Sequence, residues 1–210
     1  MDFHDNKSIE TINAWVSKNT NGLIDNVIED INEPLILINA IYFNAPWQNI
    51  FDPELTQSKD FTTSDKSVVK VDMMKRIVEI GYYEDSEIKA VKLPYGNGKV
   101  SMYCILPSGS GDIDSIISKM NDEKWNDLRN GFNYYHDVIL ELPKFKMEYS
   151  EKELSNALTA LGMGIAFDQG AYFPNLIEGM EDSLSIGSVI HTAVVNVSEE
   201  WTEAAAITLI

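Results

Sequence analysis

The pattern of apolar and polar residues predicts a helix at the start of the chain and a buried strand soon after it. Apolar residues recur at the spacing of one helix face between Ile9 and Val16, and Asn21-Gly22 ends that pattern. The run from Leu35 to Phe43 is apolar apart from Asn39. A run without alternation is typical of a strand that is covered on both faces.

The middle of the chain has the pattern of several short strands and two short helices. Runs rich in β-branched residues predict strands at 68–71, 77–80, 88–93, 100–106 and 138–142. The glycines of Tyr95-Gly96-Asn97-Gly98 predict a hairpin turn, because glycine readily adopts positive φ. Apolar stripes predict two helices that begin near Ile113 and Trp125.

The clearest helix signal is the capping box of Ser150 and Glu153, in which each side chain satisfies a free amide of the first turn. We expect this helix to end at Gly162. Its predicted buried face consists of Leu154, Ala157, Leu158 and Leu161.

The last part of the chain predicts one long strand and one ambivalent segment. The strand runs from Leu184 to Val197. Beyond it, four small residues repeat at period two, the spacing of one strand face: Thr202, Ala204, Ala206 and Thr208. The run Ala204-Ala205-Ala206 also favours a helix. With strands outnumbering helices and no linker, the pattern predicts a single α+β domain over residues 1–210.

Composition excludes several classes of protein. The chain is 44 % hydrophobic and 10 % aromatic, which is too apolar for a disordered chain. Its net charge is −17, and phosphate backbones and anionic lipids repel such a charge. We therefore expect neither nucleic acid nor a membrane as a partner. The residues at 1–5 lack the basic start and apolar run of a signal peptide.

The candidate chemistry of the sequence is sparse. His4, His136 and His191 are scattered, with no carboxylate or cysteine at metal-ligand spacing. Cys104 lies in an apolar strand, where burial makes a thiol inert. The sequence has no nucleophile elbow, phosphate loop or zinc-protease motif. We therefore predict no metal, no cofactor and no enzyme activity.

Two polar residues within predicted strands require partners, because an unsatisfied buried amide or imidazole costs a few kcal/mol. These are Asn39 in the first strand and His191 in the last long strand. We expect both to be satisfied within the core, and to lie near each other on paired or neighbouring strands.

The end of the chain resembles the serpin family. Residues 199–206 read Glu-Glu-Trp-Thr-Glu-Ala-Ala-Ala, and the proximal hinge of a serpin reactive-centre loop usually reads Glu-Glu-Gly-Thr-Glu-Ala-Ala-Ala. Leu37–Phe43, Trp47 and Phe51-Asp52-Pro53 also resemble serpin motifs. Further matches, in the same order as in serpins, are Ile12–Val16, Thr20–Gly22, Val71–Met74, Glu153–Leu158, Leu161–Met163 and Ala166–Asp168.

The resemblance implies a partial serpin fold, with a large mixed central sheet, further sheets and covering helices. Asn39 and His191 match the shutter, whose side chains hold two central strands together until the loop inserts. Trp47 matches the breach, where insertion starts. The implied hinge consists of Glu199, Glu200, Trp201, Thr202, Glu203, Ala204, Ala205 and Ala206. Since complete serpins are longer, we expect this single domain, 1–210, to lack the first helices, the reactive bond and the closing strands.

The resemblance implies a serine protease inhibitor that acts by suicide loop insertion. A protease cleaves the loop and becomes an acyl-enzyme, and the loop then inserts as a new strand of a metastable fold. The implied partner is a serine protease, with a cysteine protease as the alternative, and the complete protein is expected to be a monomer. The family also implies a secreted, extracellular protein, with the cytoplasm as the alternative, and no cofactor.

One departure from the serpin pattern favours a different function. Trp201 stands where the family has the hinge glycine, and a large aromatic residue lacks the conformational freedom of glycine. The alternative is therefore a non-inhibitory serpin-like binding protein or an inactive remnant. Insertion also requires a small inward face, which we assign to the period-two residues from Thr202 to Thr208, so that Ile207 faces outward.

Overall fold

A computed structural model of the chain describes residues 6–30, 38–109, 111–173, 184–187 and 189–209. These residues form two compact units. The first unit comprises Met1–Asn44, Lys146–Asn196 and Glu203–Ile210. The second comprises Ala45–Phe145 and Val197–Thr202.

The first half of the chain contains one helix and five strands. They are α1 (Asn6–Asn19), β1 (Ile38–Pro46), β2 (Gln57–Thr62), β3 (Val68–Glu84), β4 (Ile88–Tyr95) and β5 (Val100–Pro107), with a 3₁₀ turn at Pro53–Leu55.

The second half has short helices between its strands. The elements are α2 (Ile113–Lys119), α3 (Asp122–Asn130), β6 (Asn133–Pro143), β7 (Phe145–Glu153), α4 (Ser155–Leu158), a π-helical turn (Thr159–Met163), α5 (Gly164–Phe167), β8 (Ile190–Val197) and β9 (Trp201–Leu209).

The sheet of the first unit has the strand order β1-β9-β8-β7. Its main core cluster joins α1 and the segment after it to β8 and β9, through the buried residues Val16, Ile24, Val194, Ala205 and Ile207. Ile38 and Ala40 of β1 pack against the same cluster. The apolar face of α1 therefore covers the sheet where β9 lies.

The sheet of the second unit is built around the long strand β3. Its order is β2-β3-β4-β5, and β6 also pairs with β3. All of these pairs are antiparallel. Gly96 and Gly98 have φ values of +45° and +82°, which confirms the predicted hairpin turn between β4 and β5. The α2–α3 segment packs its apolar residues Ile116, Trp125 and Leu128 against this sheet.

The structure confirms the first helix and the α+β class, and it merges two predicted strands. The runs at 68–71 and 77–80 belong to the single 17-residue strand β3. The predicted strand at 35–43 is confirmed at 38–43, and its first three residues lie outside the described ranges. Its burial on both faces is wrong here, because Asn39 and Ile41 are exposed while Ile38 and Ala40 pack on the core.

The capping-box prediction is wrong. The backbone of Ser150 and Glu153 belongs to β7, and the helix begins only at Ser155. Leu161, predicted to be buried, is 81 % exposed. Pairing of β7 within its sheet outweighs a local cap signal worth about 1 kcal/mol. Gly162 has a φ of +103° and interrupts the helix, as its position predicted.

The two predicted sheet strands near the ends of the chain do belong to one sheet, but they are not neighbours. β9 lies between β1 and β8, so the prediction that Asn39 and His191 lie on paired or neighbouring strands is wrong in this conformation. The last long strand is also shorter than predicted, since it begins at Ile190. The ambivalent segment after it is a strand.

The burial of Ile207 shows that the predicted orientation of β9 is wrong at this residue. It was expected to face outward, and it is only 1 % exposed. The reason is that α1 covers this face, so Ile207 packs in the same cluster as Val16 and Val194.

We predict that Ile207→Ala destabilises the chain by about 2–5 kcal/mol, because it leaves a cavity in the core beneath α1. The measurement is the midpoint of urea unfolding. Ile165→Ala is the matched control, since Ile165 is exposed and its truncation should change the midpoint little. Equal midpoints for both variants would contradict the buried position of Ile207.

Candidate hinge site

The second unit holds the first residues of the predicted hinge through Trp47, which is 3 % exposed. The backbone N–H of Trp47 donates to the carbonyl of Glu200 at 3.0 Å, and its indole Nε1 donates to the carbonyl of Ser198 at 2.9 Å. The N–H of Phe51 donates to the carbonyl of Glu199 at 2.9 Å. Three consecutive carbonyls of the segment before β9 are thus satisfied by one short stretch of chain.

Trp47 is itself held in place by aromatic contacts. Its ring stacks on Tyr95 with centroids 4.5 Å apart and planes 14° apart. The ring of Phe51 approaches it edge-on at 6.2 Å. Two backbone bonds, from Gln48 N–H to Pro94 O and from Gly96 N–H to Pro46 O, both 2.9 Å long, fix the surrounding backbone to the β4–β5 turn. The indole that bonds Ser198 is therefore also held by contacts to Tyr95, Phe51 and the β4–β5 turn.

The Glu199 side chain has two partners in the second unit. Its carboxylate pairs with the ammonium of Lys144 at 2.9 Å and accepts a hydrogen bond from the Thr56 hydroxyl at 3.0 Å. Glu199 is 9 % exposed. Burial raises its pKa, but hydrogen bonds from Lys144, its own backbone and Thr56 outweigh that effect, so the pKa lies below the ordinary value of a glutamate.

Trp201 starts β9 with its side chain toward solvent. It is 40 % exposed, and its carbonyl accepts hydrogen bonds from the N–H and the hydroxyl of Ser198, each 3.1 Å long. Among the described residues, the non-glycine residues with positive φ are Asn21 and Lys66. Trp201 therefore has a backbone conformation that any L-residue adopts, and this state does not require glycine there.

The residues from Glu203 to Ala206 lie in the first unit as part of β9. Burial along β9 does not follow the single period-two face that was predicted. Thr202, Ala205 and Ile207 are buried, while Ala204 and Ala206 are only half-buried. The helix α1 covers the face that carries Ala205 and Ile207, which is why those two are more buried. The side chain of Thr208 lies outside the described residues.

The predicted shutter residues lie on separate strands of the first unit. Asn39 is exposed on β1, and His191 is half-buried on β8. Because β9 separates these strands, a direct bridge between the two residues does not form in this conformation. Their assignment to the shutter stays a prediction.

Sequence reasoning missed the side chains that hold the hinge. Thr56, Tyr95 and Lys144 carry no motif that would have marked them. Thr56 and Glu199 are 143 positions apart in the sequence, so no local pattern connects them. The Asp-Pro of the Phe51-Asp52-Pro53 motif does place the 3₁₀ turn before Thr56, where the Asp52 carboxylate accepts from the N–H of Glu54 at 2.9 Å.

The described residues offer little for other kinds of site. They contain no cluster of three or more histidine, cysteine or acidic residues that would hold a metal ion. Burial raises the pKa of the Cys104 thiol to about 11, which keeps it protonated at neutral pH, as its apolar strand predicted. Within the described ranges, none of the helices is both long enough and apolar enough to cross a lipid bilayer.

Comparison with known protein families gives one match over the whole chain. The family described as Serpin (serine protease inhibitor) matches residues 1–210. An uncharacterized serpin-like protein of Methanosarcina acetivorans is 37 % identical over 207 residues, which cover 96 % of this chain and 47 % of the relative. Serpin B11 of Homo sapiens is 34 % identical over 208 residues, covering 95 % and 52 %. The chain thus spans about half the length of these curated relatives.

Solved structures match the fold of the whole chain. Cleaved viral serpin CrmA has a TM-score of 0.89 at 28 % identity, covering 100 % of this chain and 70 % of that one. The thermophilic serpin tengpin in its latent state has a TM-score of 0.87 at 30 % identity, covering 98 % and 56 %. Thyroxine-binding globulin complexed with thyroxine-fluorescein has a TM-score of 0.90 at 26 % identity, covering 100 % and 62 %.

We predict that the Lys144–Glu199 pair stabilises the chain at neutral pH and is lost in acid. Since the Glu199 pKa is lowered on folding, its contribution is present above the unfolded value near 4.3 and disappears as pH falls through the folded value. Lys144→Met should cost about 1–3 kcal/mol at pH 7, and clearly less at pH 3. The measurement is urea unfolding at both pH values.

Lys70→Met is the matched control for this experiment. Lys70 pairs with Asp60 at 2.8 Å, but both side chains are exposed, so the variant should change stability little at either pH. A cost of Lys144→Met that is the same at pH 3 as at pH 7 would contradict the role assigned to the Glu199 carboxylate.

Proposed function

Because this chain belongs to the serpin family, we propose that it forms the loop-inserting part of a serine protease inhibitor. The observation that carries the proposal is the place of β9, the strand that bears the hinge residues, between β1 and β8 in the sheet. A reactive-centre loop that has inserted as a strand occupies such a position, with a hydrogen-bonding partner on each side.

The proposed reaction begins at a loop bond of the complete protein. The nucleophile of the protease attacks the carbonyl carbon, the peptide bond breaks, the new amine leaves, and an ester joins the loop to the protease. Insertion then moves the attached protease and distorts its active site before water can hydrolyse the ester. The driving force is the added strand, which gains ladder hydrogen bonds and buries Ala205 and Ile207.

The contacts of the hinge support a pivot at Trp201. Trp47 and Phe51 hold the carbonyls of Ser198, Glu199 and Glu200, so the backbone before the pivot stays in place. Thr202, the next residue, is buried, and insertion would start there. The inserted conformation does not require glycine at 201. We therefore expect Trp201 to change the rate of insertion rather than the ability of the strand to occupy its place in the sheet.

A second function is favoured by Trp201 alone. If the bulky pivot slows insertion enough, the protease completes hydrolysis and the protein is a substrate rather than an inhibitor. The complete protein would then be a non-inhibitory serpin-like binding protein or an inactive remnant. Thyroxine-binding globulin, a structural relative, was solved in complex with a thyroxine derivative.

We predict that the full-length protein forms a covalent complex with a serine protease matched to its loop, visible on a denaturing gel. Trp201→Gly should shift the partition further from cleaved protein toward complex, because only the mobility of the pivot changes. Thr202→Arg should shift it fully toward cleaved protein, since a guanidinium at this buried position opposes insertion.

The rate of loop cleavage is the control. It should be the same in all three forms, since the protease docks on loop residues that follow the hinge. If every form, including Trp201→Gly, gives only cleaved protein and no covalent complex, the proposed inhibitory function is overturned and the non-inhibitory alternative is favoured. Complex formation that is unchanged by Thr202→Arg would contradict insertion at this strand.

A further inference from the structure

We propose that Glu203, Tyr42 and Asn21 form a polar clasp that positions β9 in the register it has beside β1. The proposal rests on the proposed function, since the clasp forms when the loop enters the sheet. All three residues lie in the first unit. They come from three separate elements, which are β9, β1 and the turn that ends α1.

The hydrogen bonds of the clasp converge on the Tyr42 hydroxyl and on one oxygen of the Glu203 carboxylate. The Tyr42 hydroxyl donates to the Glu203 carboxylate at 2.6 Å, a length typical of a charge-assisted O–H···O⁻ bond. The Asn21 amide Nδ2 donates to the same carboxylate oxygen at 3.3 Å and to the Tyr42 hydroxyl at 3.2 Å. The Asn44 amide donates to the Tyr42 hydroxyl at 3.1 Å. One hydroxyl thus donates once and accepts twice, which is its full complement.

The backbone orients the donors of the clasp. Asn21 has a φ of +53°, a left-handed conformation that asparagine tolerates better than most residues. The next turn bond, from Gly22 N–H to Ser17 O at 2.8 Å, fixes this conformation at the end of α1. Tyr42 and Asn44 are two residues apart on β1, so they share one face of the strand.

The three alanines of the hinge carry the same side chain, so they add little to the register that the buried Ile207 sets. Ala204, Ala205 and Ala206 are identical, so a slip of the strand replaces one methyl group by another. A polar contact at a fixed position beside the alanines therefore reinforces the register that burial of one face sets. Glu203 is the one charged residue of β9, and a slip would carry its carboxylate away from Tyr42 and Asn21. The clasp therefore favours the same register as the burial of Ile207.

The test is hydrogen exchange of the β9 amides in the 210-residue chain, compared with those of β3 and β6. Tyr42→Phe removes only the hydroxyl, and Asn21→Gly removes the amide while keeping the left-handed backbone. Each should lower protection of β9 about fivefold and leave β3 and β6 unchanged. Glu203→Gln, a neutral acceptor, should lose less protection than Glu203→Ala.

Two comparisons make the experiment specific to the clasp. Glu200→Gln makes the same chemical change at an exposed residue and should leave β9 protection as it is. Tyr42→Phe combined with Glu203→Ala should lose less than the sum of the two single variants, because both remove the bond between the Tyr42 hydroxyl and the Glu203 carboxylate. Unchanged protection in the single variants, additive losses, or an unprotected β9 in the parent chain would each overturn the clasp. No protease is used, so a failure of inhibition counts against the proposed function alone.

Discussion

Strand β9 needs a hydrogen-bonding partner on each side, and the place between β1 and β8 provides both. The other features of the first unit depend on this pairing. The buried cluster beneath α1 is complete only with Ala205 and Ile207 of β9. In this conformation β9 pairs with both β1 and β8 and completes the core cluster, so the strand is a structural member of the sheet.

The chain just before Trp201 depends on a different set of contacts. The ring of Trp47 stacks on Tyr95, and its indole and backbone bond the carbonyls of Ser198 and Glu200. The Lys144–Glu199 pair adds a charge-assisted contact at a mostly buried position. In the insertion that we propose, a held segment followed by small residues lets the strand enter the sheet residue by residue, because each new pair forms beside one that already exists.

The sequence pointed only to site residues that lie in local motifs. The predicted eight-residue hinge and Trp47 come from motifs whose residues are close together in the chain, and their roles stay predictions. The partners of Glu199 do not come from such motifs, since Thr56 lies 143 positions away. The clasp was missed for the same reason, because Tyr42 and Glu203 are 161 positions apart. Such contacts come from strand pairing, and no local sequence pattern around either residue predicts the contact.

The sequence by itself determined α1, the glycine turn between β4 and β5, the α+β class and the resemblance to serpins. Each rests on side chains within a few residues of one another, where propensity and spacing act directly. The tertiary structure decided that Ser150 belongs to β7 rather than to a helix cap, that Ala204–Ala206 form a strand, and that Ile207 is buried. In all three places the local preference is worth about 1 kcal/mol or less, and the bonds and burial supplied by neighbouring strands exceed it.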